Sequence, residues 1–374
     1  MIYLDYSATT PTSKEVLDTF NKVSLEFIGN PNSLHTLGVN SKNLIDSATK
    51  QIADIIKVDT DEIIYTSGSS ESNNLVVKGI MLKYQNRGKH IITTEYEHSS
   101  IYGPIGYLQK LGFEVDFVKS NSDGTIDLEN LKSLIREDTI LVTVNAINSE
   151  IGIIQPLDEI ANIVHQHKNC FFHADVTQAM GKIEIDFSNI DLASFSAHKF
   201  FGIKGIGVLV KKKNIMLEPL IHGGKSTTVF RSGTPALPLI CSLSKALRLA
   251  VMDLDTKYEY VTELNNYLKE KLSKYENVYI NSNDVCLPYV LNISVVGVKP
   301  ETMLHALEKY EVYISTQTAC SSEKEVSASV LALTNSEERA SSSLRISLSY
   351  KTTKEELEEF IKIFDKCYNS LMLR

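Results

Sequence analysis

Apolar positions recur along this chain in two alternating periods. Leu44, Ile45, Ala48, Ile52, Ile55 and Ile56 share one face of a 3.6-residue repeat, which predicts a helix ending before Asp59. Ile63–Thr66 then reads as a strand and Thr66–Ser70 as a turn, with a helix following through about Lys83. Further strands are predicted over 91–94, 115–118, 140–144 and 170–174, with helical stretches between most of them. Leu192–Ser196 is another short apolar run, predicted to be a buried strand. Strands separated by helix-length crossovers argue for a mainly parallel sheet with both faces covered. The fold class is α/β.

Beyond Thr234-Pro235 the pattern changes. A long helical region is expected from about Pro238 to Lys274, followed by shorter strand-like segments at 289–294, 312–315 and 344–349. The last helix is the clearest, because Thr353 and Glu356 form a capping box and Leu357, Phe360, Ile361, Phe364 and Leu371 line one face. The expected division is an N-terminal segment, 1–14, packing with the small domain, a large domain over 15–250 and a smaller α+β domain over 251–374. Repeats, low-complexity tracts and an obvious linker are absent from the sequence.

Length and charge narrow the classes of function. A chain of 374 residues can build a substantial core, and a net charge of −8 does not favour direct binding of nucleic acid. The N-terminus lacks the basic and apolar regions of a signal peptide, and no apolar stretch approaches the length of a membrane span. Cys170, Cys241, Cys286, Cys320 and Cys367 are odd in number and scattered, without a CxxC pair. A reducing, cytoplasmic setting is the expectation.

Lys199 is the centre of the candidate chemistry. It lies between the apolar run 192–196 and a turn containing Gly202, Gly205 and Gly207, beside Ser196 and His198. Asp175 ends the preceding apolar strand, where a carboxylate needs a partner: a structural cation or a protonated pyridine nitrogen. A lysine amine together with such an aspartate suits pyridoxal phosphate. The strand–turn–helix at 63–74 offers Ser69, Ser70 and free backbone N–H groups as a phosphate cup, or simply a serine-rich helix cap. His98 follows the strand at 91–94, as a proton-moving group or as an ordinary loop residue. Arg345 is a candidate fork for a carboxylate, or one half of a structural salt bridge. Cys320 sits in a polar run of small residues where an exposed thiol can be nucleophilic. GGKS at 223–226 is not a P-loop, since Pro219 stands where its first glycine belongs, and GIKGIG has the wrong spacing for a dinucleotide site. His165 and His167 lack companion ligands, so no metal is assigned.

These stretches together resemble the cysteine desulfurases, within the class-V aminotransferase group of fold-type-I pyridoxal phosphate enzymes. The resemblance runs over nearly the whole chain. It rests on LDYSATTP at 4–11, GNPNSLH at 29–35, TSGSSESNN at 66–74, TTEYEHSS at 93–100, NSEIGIIQP at 148–156 and HADVTQ at 173–178. It continues through SFSAHKFFGIKGIG at 194–207, RSGTP at 231–235, TACSS at 318–322 and SSLRISL at 342–348.

The resemblance implies that Lys199 holds the cofactor covalently, that Asp175 faces the pyridine nitrogen and that Gln178 faces the ring's phenolic oxygen. It implies that His98 stacks on the ring and acts as acid–base. Ser69, Ser70, Ser196 and His198 would bind the phosphate, with Thr234 reaching the cofactor of the other subunit in a homodimer. Arg345 and Asn30 would receive the substrate carboxylate. Cys320 would take the sulfur of L-cysteine, leaving L-alanine and a persulfide for delivery to an acceptor, such as an iron–sulfur scaffold or a tRNA- or thiamine-pathway sulfurtransferase. The alternative is another class-V enzyme, an aminotransferase or selenocysteine lyase. Three positions depart from the family pattern. Ser149 replaces an asparagine that contacts the cofactor, Lys225-Ser226-Thr227-Thr228 replaces a glycine-led stretch, and Gln317 replaces a glycine before the cysteine.

Overall fold

A computed structural model describes residues 1–226, 228–316 and 326–372. Among these, twelve strands are labelled here in chain order. They are β1 (Ile2–Tyr3), β2 (Ile63–Thr66), β3 (His90–Thr93), β4 (Glu114–Phe117), β5 (Thr139–Asn145) and β6 (Phe171–Asp175). The rest are β7 (Leu192–Ser196), β8 (Gly207–Lys211), β9 (Val278–Ile280), β10 (Val290–Val295), β11 (Val312–Tyr313) and β12 (Ser343–Ser347).

Seven strands form one sheet in the order β2-β8-β7-β6-β5-β3-β4. All adjacent pairs are parallel except the two that involve β8, which runs against both β2 and β7. The α/β expectation holds, with this antiparallel insert as the departure. The glycine-rich stretch expected to be only a turn becomes a strand from Gly207 onward, because Val208, Leu209 and Val210 supply a fully buried run. Burial grades across the sheet as covered faces require. Every residue of the inner strands β5 and β7 is buried, whereas β4 at the edge is half-open to solvent.

The expected helix over 238–274 is two helices, Leu237–Val251 and Leu254–Leu272, broken at Asp253 with φ +53°. β12, β10 and β9 make a second, antiparallel sheet, and β1 pairs with β11. The C-terminal helix Lys354–Met372 buries Leu357, Phe360 and Phe364, and its capping box forms through Thr353 and Glu356. No helix among the described residues is long and apolar enough to cross a membrane.

β2, β3, β5, β6 and β7 run in one direction, so their carboxyl ends lie along one edge of the sheet. At that edge the backbone is tightly packed. A Cβ at Gly207 would sit 2.6 Å from Gly68 Cα and 2.7 Å from the Phe195 carbonyl oxygen. Gly207→Ala is therefore expected to push β8 from the turn at Gly68 and to cost about 1–3 kcal/mol, read by denaturant unfolding. A loss below a few tenths of a kilocalorie would show that this edge yields freely.

His173 lies in the middle of the sheet, bonded through Nδ1 to Thr143 Oγ1 at 2.8 Å and through Nε2 to Ser194 Oγ at 3.0 Å. Burial pushes its pKa down to about 4. Between about pH 6.5 and that value the unfolded chain binds a proton that the folded one refuses, so stability falls as pH drops. The slope from this residue reaches about 1.4 kcal/mol per pH unit at most. Urea unfolding at pH 7.5 and 5 should show a shallower pH dependence for His173→Gln than for the wild type; equal slopes would rule the contribution out.

Candidate active site

The carboxyl ends of the parallel strands deliver side chains to one cavity of about 200 Å³. Its lining includes Lys199, Asp175, His98, Gln178, Ser69 and Ser70, together with His198, Ser149 and Arg345. Nine of the residues expected from sequence thus converge. Asp175 comes from the last position of β6, and Lys199 from the single turn Ala197–Lys199 that follows β7. Ligands gather at this edge in open parallel sheets because the loops there diverge around a crevice.

Lys199 reaches back to the N-terminal segment. Its Nζ donates to the carbonyl oxygens of Ser7 at 2.6 Å and Ala8 at 2.9 Å. The same segment clasps the loop through Thr10, whose N–H and hydroxyl both donate to the His198 carbonyl oxygen at 2.9 Å.

Asp175 is held by neutral donors. Asn73 Nδ2 donates to Oδ2 at 2.7 Å and the Thr177 N–H to Oδ1 at 3.0 Å. The two partners weighed from sequence were both positive, so Asn73 went unnoticed. The signal was there: three polar residues, Ser72, Asn73 and Asn74, inside a predicted helix, of which Ser72 and Asn73 are buried. Hydrogen bonds of this kind keep a buried carboxylate in place without neutralising it.

His98 caps the helix Ser99–Gln109. The Ser100 N–H donates to His98 Nδ1 at 3.1 Å, which fixes the neutral ring with its proton on Nε2. Burial lowers the His98 pKa, the Asp175 charge opposes that, and Lys199 adds to it. His198 is pushed further, to about 4, first by burial and then by Lys199, Lys204 and Lys182. Next to His98, Glu97 is fully buried, accepting from Thr94 Oγ1 at 2.7 Å and the Asn145 N–H at 2.9 Å. Burial raises its pKa to about 8, so it is a neutral acid at pH 7.

At the start of the helix Ser69–Tyr84, Ser69 and Ser70 line the cavity while Ser196 braces the turn from below. Ser196 Oγ accepts from the Ser69 N–H at 2.6 Å and donates to Ser69 Oγ at 3.0 Å. Gly68, the residue before the helix, has φ +153° and supplies no capping side chain, which leaves the helix N-terminus open toward an anion.

Arg345, on β12, is almost wholly buried and forms a structural salt bridge, one of the two roles that the sequence left open. Nη2 pairs with Asp5 Oδ1 at 2.8 Å and Nη1 donates to the Ser149 carbonyl oxygen at 3.0 Å. The Ser149 side chain has replaced an amide, but its backbone anchors the arginine whatever side chain stands there. Asn30 and Thr234 are not brought to the cavity. Asn30 Oδ1 accepts from the Asn32 N–H at 2.9 Å, and Thr234 lines a separate small cavity of about 80 Å³ with Arg231 and Gly233. Cys320, with Gln317 and Thr227, lies outside the described residues.

The donor set fits pyridoxal phosphate. An amine, a carboxylate and an open helix N-terminus with hydroxyls share one cavity. Two of its lining residues also carry buried polar atoms without a partner among the described residues, Asn145 Oδ1 and Arg345 Nε. Such atoms are costly unless something polar meets them. No group of three or more His, Cys, Asp or Glu side chains placed to hold a metal ion occurs among the described residues.

Known proteins resemble this chain over its length. The aminotransferase class-V family model matches residues 2–360. A NifS/IcsS protein homolog of Lactobacillus delbrueckii subsp. bulgaricus is 40% identical over 378 aligned positions, which cover 98% of this chain and 97% of the relative. The cysteine desulfurase IscS of Dictyoglomus turgidum is 38% identical over 375 positions, covering 99% and 95%. A solved structure of a NifS-like protein superimposes with a TM-score of 0.93 at 33% identity, covering 100% of both chains. Members of this family use pyridoxal 5′-phosphate. With sequence, fold and cavity in agreement along its length, the chain belongs to the class-V aminotransferase family, among the cysteine desulfurases.

Proposed function

We propose that this chain is a pyridoxal phosphate-dependent cysteine desulfurase that converts L-cysteine to L-alanine and retains the sulfur as a persulfide on Cys320. The observation that carries the reading is one cavity lined at once by Lys199, Asp175, His98 and Arg345. When bound, pyridoxal phosphate supplies an electron sink for bonds at the substrate's carbon framework. Lys199 binds it through Nζ, for which the amine leaves the Ser7 and Ala8 carbonyls. Asp175 offers its carboxylate to the pyridine nitrogen, Gln178 a donor to the ring oxygen, and Ser69, Ser70, Ser196 and His198 the phosphate contacts.

Arg345 orients the substrate carboxylate, with Asp5 and Ser149 holding the guanidinium in place. His98 Nε2, which carries the ring proton, is placed to donate it, and Lys199 Nζ is the amine that accepts and returns one. The Cys320 thiolate forms an S–S bond to the substrate sulfur as the C–S bond breaks. The carbon left behind takes a proton, giving alanine.

Support for Cys320 comes from the other thiols. Cys170, Cys241 and Cys367 are buried and Cys286 half-buried, and burial raises the pKa of all four, to about 11 for Cys241 and Cys286. Thiols held protonated in this way are poor nucleophiles.

The reading extends to a homodimer, because Asn30 and Thr234 do not line the cavity of their own chain and exposed Leu25, Ile28 and Leu34 lie close to Asn30 in sequence. Thr234 would then serve the partner's phosphate. It also includes a large domain over 15–250, a small one over 251–374 joined by segment 1–14, a cytoplasmic setting, and an acceptor protein that draws off the sulfur.

Lys199→Ala should fold but lose the visible absorption of enzyme-bound pyridoxal phosphate; a wild-type spectrum from that variant contradicts the assignment. Cys320→Ser should keep cofactor binding, the yellow colour and the spectral change on adding cysteine. Its release of alanine should fall by about two orders of magnitude or more, and no persulfide should be labelled, because a serine hydroxyl can neither attack sulfur usefully nor carry it. Alanine production at the wild-type rate would hand the function to the aminotransferase or lyase alternative.

A further inference from the structure

One buried cation near the cavity has no part in the reading above. Lys182 is 7% exposed, and its amine donates to Gln178 Oε1 at 2.9 Å. The charged groups that act on it, Lys199 and Arg345, are both cations. With burial as the larger cause, they lower its pKa to about 7. A lysine in this position is costly to keep, and a leucine or methionine would fill the same space without that cost.

The backbone explains how the amine gets there. After β6 the chain turns tightly, with the N–H groups of Ala179 and Met180 donating to the Val176 carbonyl and that of Lys182 to the Ala179 carbonyl. Gly181 completes the turn at φ +73°, where a Cβ would stand 2.7 Å from Ala250 Cβ. The turn brings Lys182 back onto Gln178, four residues earlier. The Gln178 carboxamide is then gripped at both ends, Oε1 by Lys182 and Nε2 by the Ser7 carbonyl at 3.0 Å. An amide flip would set Nε2 against the lysine donor and Oε1 against the carbonyl.

We propose that Lys182 is a positioning residue that locks Gln178 with its N–H side toward Ser7 and the cavity. This rests on the proposed reading, in which Gln178 faces the ring oxygen of pyridoxal phosphate. The locked amide makes Gln178 a donor there.

The test reads the pH at which the visible band of the loaded enzyme titrates. Asp175, His98, His198, Lys199 and Arg345 face the cofactor space in every variant, so their contributions cancel in the comparison. A hydrogen-bond donor fixed at the ring oxygen favours the deprotonated, more negative state. Lys182→Met should therefore raise the midpoint by about one pH unit, and should do so much less in a Gln178→Leu background. A midpoint unmoved by Lys182→Met overturns the proposal, as does a shift equally large without Gln178. Absence of any visible band in the wild type would instead sink the reading on which the proposal depends.

A second comparison keeps the native lysine and follows thermal unfolding of the full chain with the cofactor removed. Gln178→Glu gives the amine an anionic partner, whereas Gln178→Leu strands it. The glutamate variant should melt at or above the leucine variant. A glutamate variant melting well below it means that the amine does not stabilise an anionic partner at residue 178, and the proposal fails.

Discussion

The contact between Lys199 Nζ and the carbonyls of Ser7 and Ala8 ties together parts of the molecule that are far apart in sequence. Segment 4–10 is gripped from two sides. On one side, Asp5 pairs with Arg345 and the Ser7 N–H donates to Ser347 Oγ, both residues of β12. On the other, Thr10 bonds to the His198 carbonyl and Lys199 closes over Ser7. The strap therefore links the seven-stranded sheet to the three-stranded one at the point where the cavity opens. Backbone carbonyls suit the task, because they satisfy an ammonium without adding a negative charge that would hold the amine permanently.

Burial sets the electrostatics around that strap. Glu97, His198 and Lys182 are each driven toward the neutral form by burial. Glu97 rises to about 8, His198 falls to about 4 and Lys182 to about 7. Asp175 accepts hydrogen bonds from Asn73 Nδ2 and the Thr177 N–H. The result is a pocket in which few charges are kept, and each is held by named hydrogen bonds.

Much of this architecture was legible in the residue pattern. The strands at 63–66 and 192–196 appear at their expected bounds, and the capping box at Thr353 and Glu356 forms as read. These signals are local: an apolar run of strand length, or a hydroxyl three residues before a carboxylate, acts on its own neighbourhood. β8 was missed because Gly202, Gly205 and Gly207 read as a turn, while its place in the sheet depends on β2 and β7 packing on either side. The break at Asp253 was missed because apolar residues continue on both sides of it.

The sequence by itself determined which residues could do the chemistry: a lysine and an aspartate at strand ends, hydroxyls at a helix start, an arginine on a late strand, and a cysteine in a polar run. Those identities are carried by side-chain type and by position within a short pattern. Only the tertiary structure decided that Asn73 would hold Asp175, that Asp5 and the Ser149 carbonyl would hold Arg345, and that Lys182 would stand behind Gln178. These pairings join residues up to 340 positions apart or on opposite sides of a tight turn. No local periodicity encodes them, because a hydrogen bond between distant segments exists only once the sheet has brought its strand ends to a common edge.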